Sequence, residues 1–149
     1  MASTHLCLHA HIVFSTKNRE HWFNDLSLRS EMHAVLGGLL KQEGCTPLEV
    51  GGVSDHVHLL MGFRATHCIA DVVRECKKGC THWFRETTRQ SAFAWQEGYG
   101  AFTVSPTGVA GVRKYIQNQE EHHRVKTFRE EYLEMLHQAG IDPDMRFFD

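Results

Sequence analysis

The chain has 149 residues, 42% of them hydrophobic and 23% charged, with a net charge of −2; this is the profile of a water-exposed globular protein, read as one domain over residues 1–149. No apolar run approaches the length of a membrane span and the N-terminus lacks a signal-peptide pattern, so the expected compartment is the cytoplasm and no membrane partner is expected. The five cysteines, Cys7, Cys45, Cys68, Cys76 and Cys80, are odd in number and lack Cys-x-x-Cys spacing, which argues against a disulfide framework or a zinc ribbon.

The first predicted element is a strand over residues 5–16. Leu6, Leu8, Ala10, Ile12 and Phe14 alternate with His5, Cys7, His9, His11 and Val13, so one face meets a core. A helix follows from Asp25 to about Glu43, with Leu28, Met32, Val35, Leu36, Leu39 and Leu40 at helical spacing and Gly44 as a stop. Two strands, about 48–53 and 56–63, then form a hairpin through Ser54-Asp55. A second helix runs from about Ile69 to Arg89. Its buried stripe is Ile69, Val72, Val73, Cys76, Cys80, Trp83 and Phe84, which makes Cys76 and Cys80 small core residues. Residues 93–104 read as a fourth strand bent at Gly98-Tyr99-Gly100, with Trp95 and Tyr99 as candidates for stacking on unpaired bases. After a break at 105–108 come a helix carrying Tyr115 and a final helix from Thr127 to about Ala139, on which Phe128, Tyr132, Leu133 and Leu136 face inward. Strand-helix-strand-strand-helix-strand predicts an α+β, ferredoxin-like (RRM-like) sandwich. It has an antiparallel sheet of four to five strands, helices on one face and an added tyrosine-bearing C-terminal helix.

Two constellations carry chemistry. In Asp55-His56-Val57-His58 the side chains alternate, so His56 and His58 project from one face of their strand while Val57 goes to the other. Two imidazoles on one face begin a metal site, although a chain with 12 histidines produces such spacing by composition, as His9-Ala10-His11 illustrates. If the third strand adjoins the first, His9 or His11 falls near that face. In Val112-Arg113-Lys114-Tyr115-Ile116-Gln117-Asn118-Gln119, helical spacing sets the Tyr115 phenol beside the Gln119 amide. From Arg64 to Arg129, eleven Lys/Arg stand against six Asp/Glu, which permits a phosphate-binding face in an otherwise acidic chain. Lys17 and Arg19 at the end of the first strand, Lys77 and Lys78 on the second helix, and Arg113 and Lys114 beside the tyrosine are the candidate DNA contacts.

The stretches HIVFSTKNR at 11–19, GGVSDHVHLLMGF at 51–63, GYGAFTVSPT at 98–107, and YIQNQEEHH with TFREEY at 115–132 resemble the single-tyrosine HUH transposases of the smallest insertion sequences and their REP-associated relatives. The resemblance implies His56, His58 and Gln119 as ligands of a divalent metal, Mg²⁺ or Mn²⁺, and Tyr115 as nucleophile. It also implies a homodimer in which the tyrosine helix can complete its partner's site, and single-stranded DNA with hairpin structure as substrate. The reaction expected is strand cleavage and rejoining on insertion-sequence ends through a 5′-phosphotyrosine. A phenol with a pKa of about 10 is under about 1% ionised at neutral pH, and the sequence offers no obvious dedicated base for it. Three alternatives stand beside this reading: a domesticated REP-processing nuclease, a nucleic-acid-binding module without turnover, and a metal hydrolase that uses water.

Overall fold

The computed structural model describes residues 3–144. Four strands, β1 (Leu8–Ser15), β2 (Thr46–Gly52), β3 (His56–Phe63) and β4 (Gly100–Thr103), form one antiparallel sheet in the order β2-β3-β1-β4. Helices α1 (Leu26–Gln42) and α2 (Ile69–Thr88) provide the two crossovers, which is the ferredoxin-like arrangement the sequence predicts. Three further helices follow: α3 (Val109–Gln117), α4 (Gln119–His122) and α5 (Phe128–Gln138). Among the described residues no helix is long and apolar enough to cross a membrane.

Helix α1 starts where Asp25 accepts hydrogen bonds from the amides of Ser27 and Leu28, and buries Met32, Leu36 and Leu40. Gly44 stops it with a left-handed φ of 84°. Helix α2 buries Val72, Val73, Cys76, Cys80 and Phe84. Both helices pack on the sheet face presented by Ala10, Ile12 and Phe14 of β1 and Val57, Leu59 and Met61 of β3. Burial pushes the Cys76 and Cys80 thiols up to about 12, consistent with inert core residues.

The opposite face carries the C-terminal helices. Gly51 and Gly100 make this close packing possible: a Cβ on Gly51 would lie 2.6 Å from the Ile116 side chain of α3, and one on Gly100 2.6 Å from the Tyr132 ring of α5.

Two elements differ from the sequence expectation. The fourth strand is confined to Gly100–Thr103, with an isolated bridge between Thr16 and Trp95 before it. Gly98 turns left-handed at φ 84°, and Lys77 Nζ satisfies the carbonyls of Gln96 and Gly98 in place of a strand partner. Trp95 is buried against Phe14, Phe23 and Phe93, and Tyr99 packs on the same core, so Trp95 belongs to the core and not to a base-stacking surface. The tyrosine-bearing helix also breaks at Asn118 (φ −97°, ψ 18°), which separates α3 from the single turn of α4.

Candidate metal and tyrosine site

His56 and His58 project from β3 toward α3–α5, and both are fully buried. His11 of β1 joins them from the same face: its Nε2 lies 2.8 Å from His58 Nδ1. Despite the break at Asn118, Tyr115 and Gln119 remain side by side, because both reach one carboxylate. That carboxylate is Glu131 of α5, only 1% exposed.

Glu131 presents its two oxygens to two different sets of groups. Oε1 lies 3.1 Å from both His58 Nε2 and His123 Nε2, and 3.4 Å from His56 Nε2. Oε2 accepts a hydrogen bond from the Tyr115 hydroxyl and another, at 3.0 Å, from Gln119 Nε2, while His122 Nε2 is 3.5 Å away. Tyr115 thus faces the histidines of its own chain, with its ring centroid 5.8 Å from that of His58.

Electrostatics follow from this crowding. Burial penalises a charged His58 and lowers its pKa to about 4, and burial lowers His11 to about 3, so both rings are neutral at pH 7. Burial acts on His56 in the same direction, but its hydrogen bonds to Asp55 and Glu131 outweigh it and raise the ring to about 9. For Glu131 burial opposes ionisation, while the surrounding histidines hold the carboxyl far below its usual range. Burial first, then the Glu131 hydrogen bond, push the Tyr115 phenol up. The Tyr115 hydroxyl is therefore protonated at neutral pH.

The donor set fits a cation. Donor atoms of His56, His58, His123 and Glu131 all lie within 4.8 Å of one another. Each histidine turns Nε2 inward and ties Nδ1 outward: to Asp55 Oδ1 at 2.8 Å for His56, to His11 at 2.8 Å for His58, and to the Lys126 carbonyl at 2.7 Å for His123. Such outer tethers orient imidazoles around metals. The buried His123 Nε2, although close to Glu131, has no well-aligned hydrogen bond, which leaves a nitrogen lone pair directed at the cluster. Gln119 lies at its edge, Oε1 3.0 Å from His56 Nε2.

The chain matches the family model of IS200-like transposases over residues 4–119, well over half its length. It belongs to that family. Its fold is similar to that of a transposase candidate from Deinococcus radiodurans R1, at 24% identity and TM-score 0.64, covering 80% of this chain and 95% of the other. It is also similar to a REP-associated tyrosine transposase bound to a REP hairpin, at 12% identity and TM-score 0.60, covering 83% and 74%. No protein of curated function matches it. The family match ends at Gln119, so His122, His123 and Glu131 lie beyond it.

Sequence reasoning missed Glu131 and left His123 and Asp55 without a role. One signal was available: Phe128, Glu131, Tyr132, Met135 and Leu136 recur at the spacing of a buried helical stripe, so a carboxylate there must meet partners inside.

The six candidate DNA contacts do not share one surface. Arg19 lines a cleft of about 700 Å³ beside Asp55 and His123, together with Arg29, Arg124, Lys126 and Arg129; Lys17 is exposed on the 3-10 turn Lys17–Arg19. Lys77 and Lys78 line a separate groove on α2, across the sheet from the histidines, and Lys77 is committed to two backbone carbonyls. Burial brings its ammonium down to about 8. Arg113 pairs with Glu49 at 3.5 Å, and Lys114 is exposed on α3.

Proposed function

We propose that this transposase cleaves and rejoins single-stranded DNA at insertion-sequence ends, with Tyr115 as nucleophile and a divalent cation held by His56, His58, His123 and Glu131, with Gln119 at its edge. The observation that carries this reading is the shared carboxylate: the Tyr115 hydroxyl and the three inward-facing imidazoles meet on opposite oxygens of Glu131. A nitrogen-rich set with one carboxylate suits Mn²⁺ better than Mg²⁺, whose preference is for oxygen and water. A bound cation supplies Lewis-acid polarisation of the scissile phosphate.

The chain's own residues do the rest. Asp55, His11 and the Lys126 carbonyl fix the imidazole planes. The cleft with Arg19, Arg29, Arg124, Lys126 and Arg129 opens at the Asp55 and His123 edge, where it suits a phosphodiester backbone approaching the histidine cluster. Attack by the phenol oxygen on phosphorus joins Tyr115 to the 5′ side of the break and releases a 3′-hydroxyl. An incoming 3′-hydroxyl reverses the step, so no nucleotide cofactor is consumed. With one such tyrosine in each chain, two cleavages take two copies, and a homodimer is the assembly we propose. The REP hairpin bound by the fold's relative makes a hairpin-bearing strand the substrate to try first.

The test is a denaturing gel of purified protein with Mn²⁺ and labelled single strands from the flanks of the gene. A covalent protein–DNA band that disappears in Tyr115→Phe and in His56→Ala is expected. Cleavage without such a band, undiminished in Tyr115→Phe, would replace this reading with a water-using hydrolase. Binding without any cleavage would leave a binding module.

A further inference from the structure

We propose that the cavity between α1, the end of β2 and the α3–α4 junction is a pocket for one unpaired guanine of the DNA strand, read by Glu120 together with Arg29 and His33. The inference rests on the strand-transfer reading and adds to it the chemistry by which this protein recognises a target.

The cavity measures about 270 Å³ and adjoins the basic cleft, with which it shares Arg29 and Glu120. Gln119 forms part of its wall and turns its side chain the other way, to His56 and Glu131, so a base seated here belongs to a nucleotide close to the scissile phosphate. The lining has the two parts a heterocycle needs. Leu26, 62% exposed, and Val50 offer apolar surface to a ring face, while Arg29, His33 and Glu120 offer polar atoms to its edge. The Phe23 carbonyl holds the Arg29 guanidinium through Nε at 2.9 Å. The Glu120 carboxylate has no ion pair or hydrogen bond among the described residues, and the buried His33 Nε2 has no hydrogen-bond partner. Burial first, then the neighbouring Arg29 charge, lower His33 to about 4, so its ring is neutral at pH 7. A buried nitrogen left without a partner calls for an occupant that supplies one.

Guanine matches this inventory. To a carboxylate it presents two adjacent N–H donors, at N1 and N2, and to a guanidinium two adjacent acceptors, O6 and N7. Cytosine can give the carboxylate only its N4 amine, and a phosphate would be repelled by Glu120. In a duplex N1 and N2 are already paired, so a carboxylate reads them only on an unpaired base, which is what a single-stranded substrate supplies.

The experiment selects strands from a random single-stranded library with wild type, Glu120→Gln and His33→Leu in Mn²⁺, and sequences the bound pools. Wild type should enrich a guanine at one fixed position, and both variants should lose that preference. Replacing this guanine by inosine, which lacks the N2 amine, should weaken wild-type binding about tenfold and Glu120→Gln several-fold less. Removing a negative charge beside a basic cleft should otherwise tighten DNA binding, so a lost preference in Glu120→Gln is not weakened electrostatics. Mn²⁺ affinity should match wild type in both variants, since neither side chain belongs to the cation cluster, and this also reports an intact fold. Pools with no fixed guanine, or a guanine preference that survives both variants, would overturn the inference and leave strand transfer standing. If no selected strand forms the Tyr115 adduct, the strand-transfer reading falls and takes this inference with it.

Discussion

Along β3 consecutive residues enter two different environments. Val57, Leu59 and Met61 join an apolar layer under α1 and α2, whereas His56 and His58 enter a buried polar network closed by α3–α5. The apolar side is held by area and shape. Phe84, for example, packs its ring 4.3 Å from that of Phe93 and 5.3 Å from that of Phe23. The polar side is held by partner-for-partner satisfaction: Asp55 on His56, His11 on His58, and Glu131 among three histidines, Gln119 and Tyr115. A loss on the first side costs stability in proportion to volume. On the second it strands a buried charge or donor, so every group there depends on its neighbours. The sheet therefore separates a layer that stabilises the fold from a layer that positions chemistry.

The largest effect expected from breaking this comparison lies on the apolar side. Phe84→Ala should destabilise the fold by about 3–5 kcal/mol, because the ring is 1% exposed and its neighbours cannot close the gap. Urea unfolding measures it. Mn²⁺ affinity of the folded fraction should not move, since the sheet stands between Phe84 and the histidines; a parallel loss of affinity would mean the layers are coupled. Next in size, Mn²⁺ at about 100 times its dissociation constant should stabilise the native state by about 2.7 kcal/mol. A thermal melt should register this gain, a chelator should abolish it, and His56→Ala should not display it. A cation that stabilises His56→Ala as strongly as wild type would place the binding elsewhere.

Much of this division is legible in the sequence, and the residues that are not share a reason. Period-two alternation in β1 and β3 sets His11, His56 and His58 against Ile12, Phe14 and Val57, because strand geometry is local. The bounds of α1 and α2 follow from Asp25, Gly44 and their apolar stripes. The length of β4 does not, since it depends on Lys77, nineteen residues before Gln96 in the chain, reaching that residue's carbonyl. The break at Asn118 is likewise invisible to helical periodicity, which continues unbroken through it. The basic cleft gathers Arg19, Arg29, Arg124, Lys126 and Arg129 from segments far apart in the chain, whereas the six cations picked from local runs lie on several surfaces. Glu131 lies between these cases: its place on an apolar stripe marks it as buried, but only the fold reveals what it meets.

The smallest expected effect is the most discriminating, because it compares two helix starts of similar worth on opposite sides of the sheet. Asp25 caps α1 over the apolar layer. Thr127 caps α5 through a reciprocal pair, its hydroxyl accepting from the Glu130 amide at 3.2 Å while its own amide donates to the Glu130 carboxylate at 3.3 Å. Replacing either by alanine should cost about 1 kcal/mol. The consequences should then diverge. The first turn of α5 contains Phe128, its ring tilted against that of His56 with centroids 4.6 Å apart, and leads directly to Glu131, and the segment before Thr127 supplies the Lys126 carbonyl that orients His123. Loosening that turn should weaken Mn²⁺ binding and slow adduct formation several-fold as well as lowering the melting temperature. Asp25→Ala should lower the melting temperature alone. If both variants leave Mn²⁺ affinity unchanged, α5 holds its site residues without help from its cap, and the packing of Phe128 and Leu136 against the sheet would have to be what fixes Glu131.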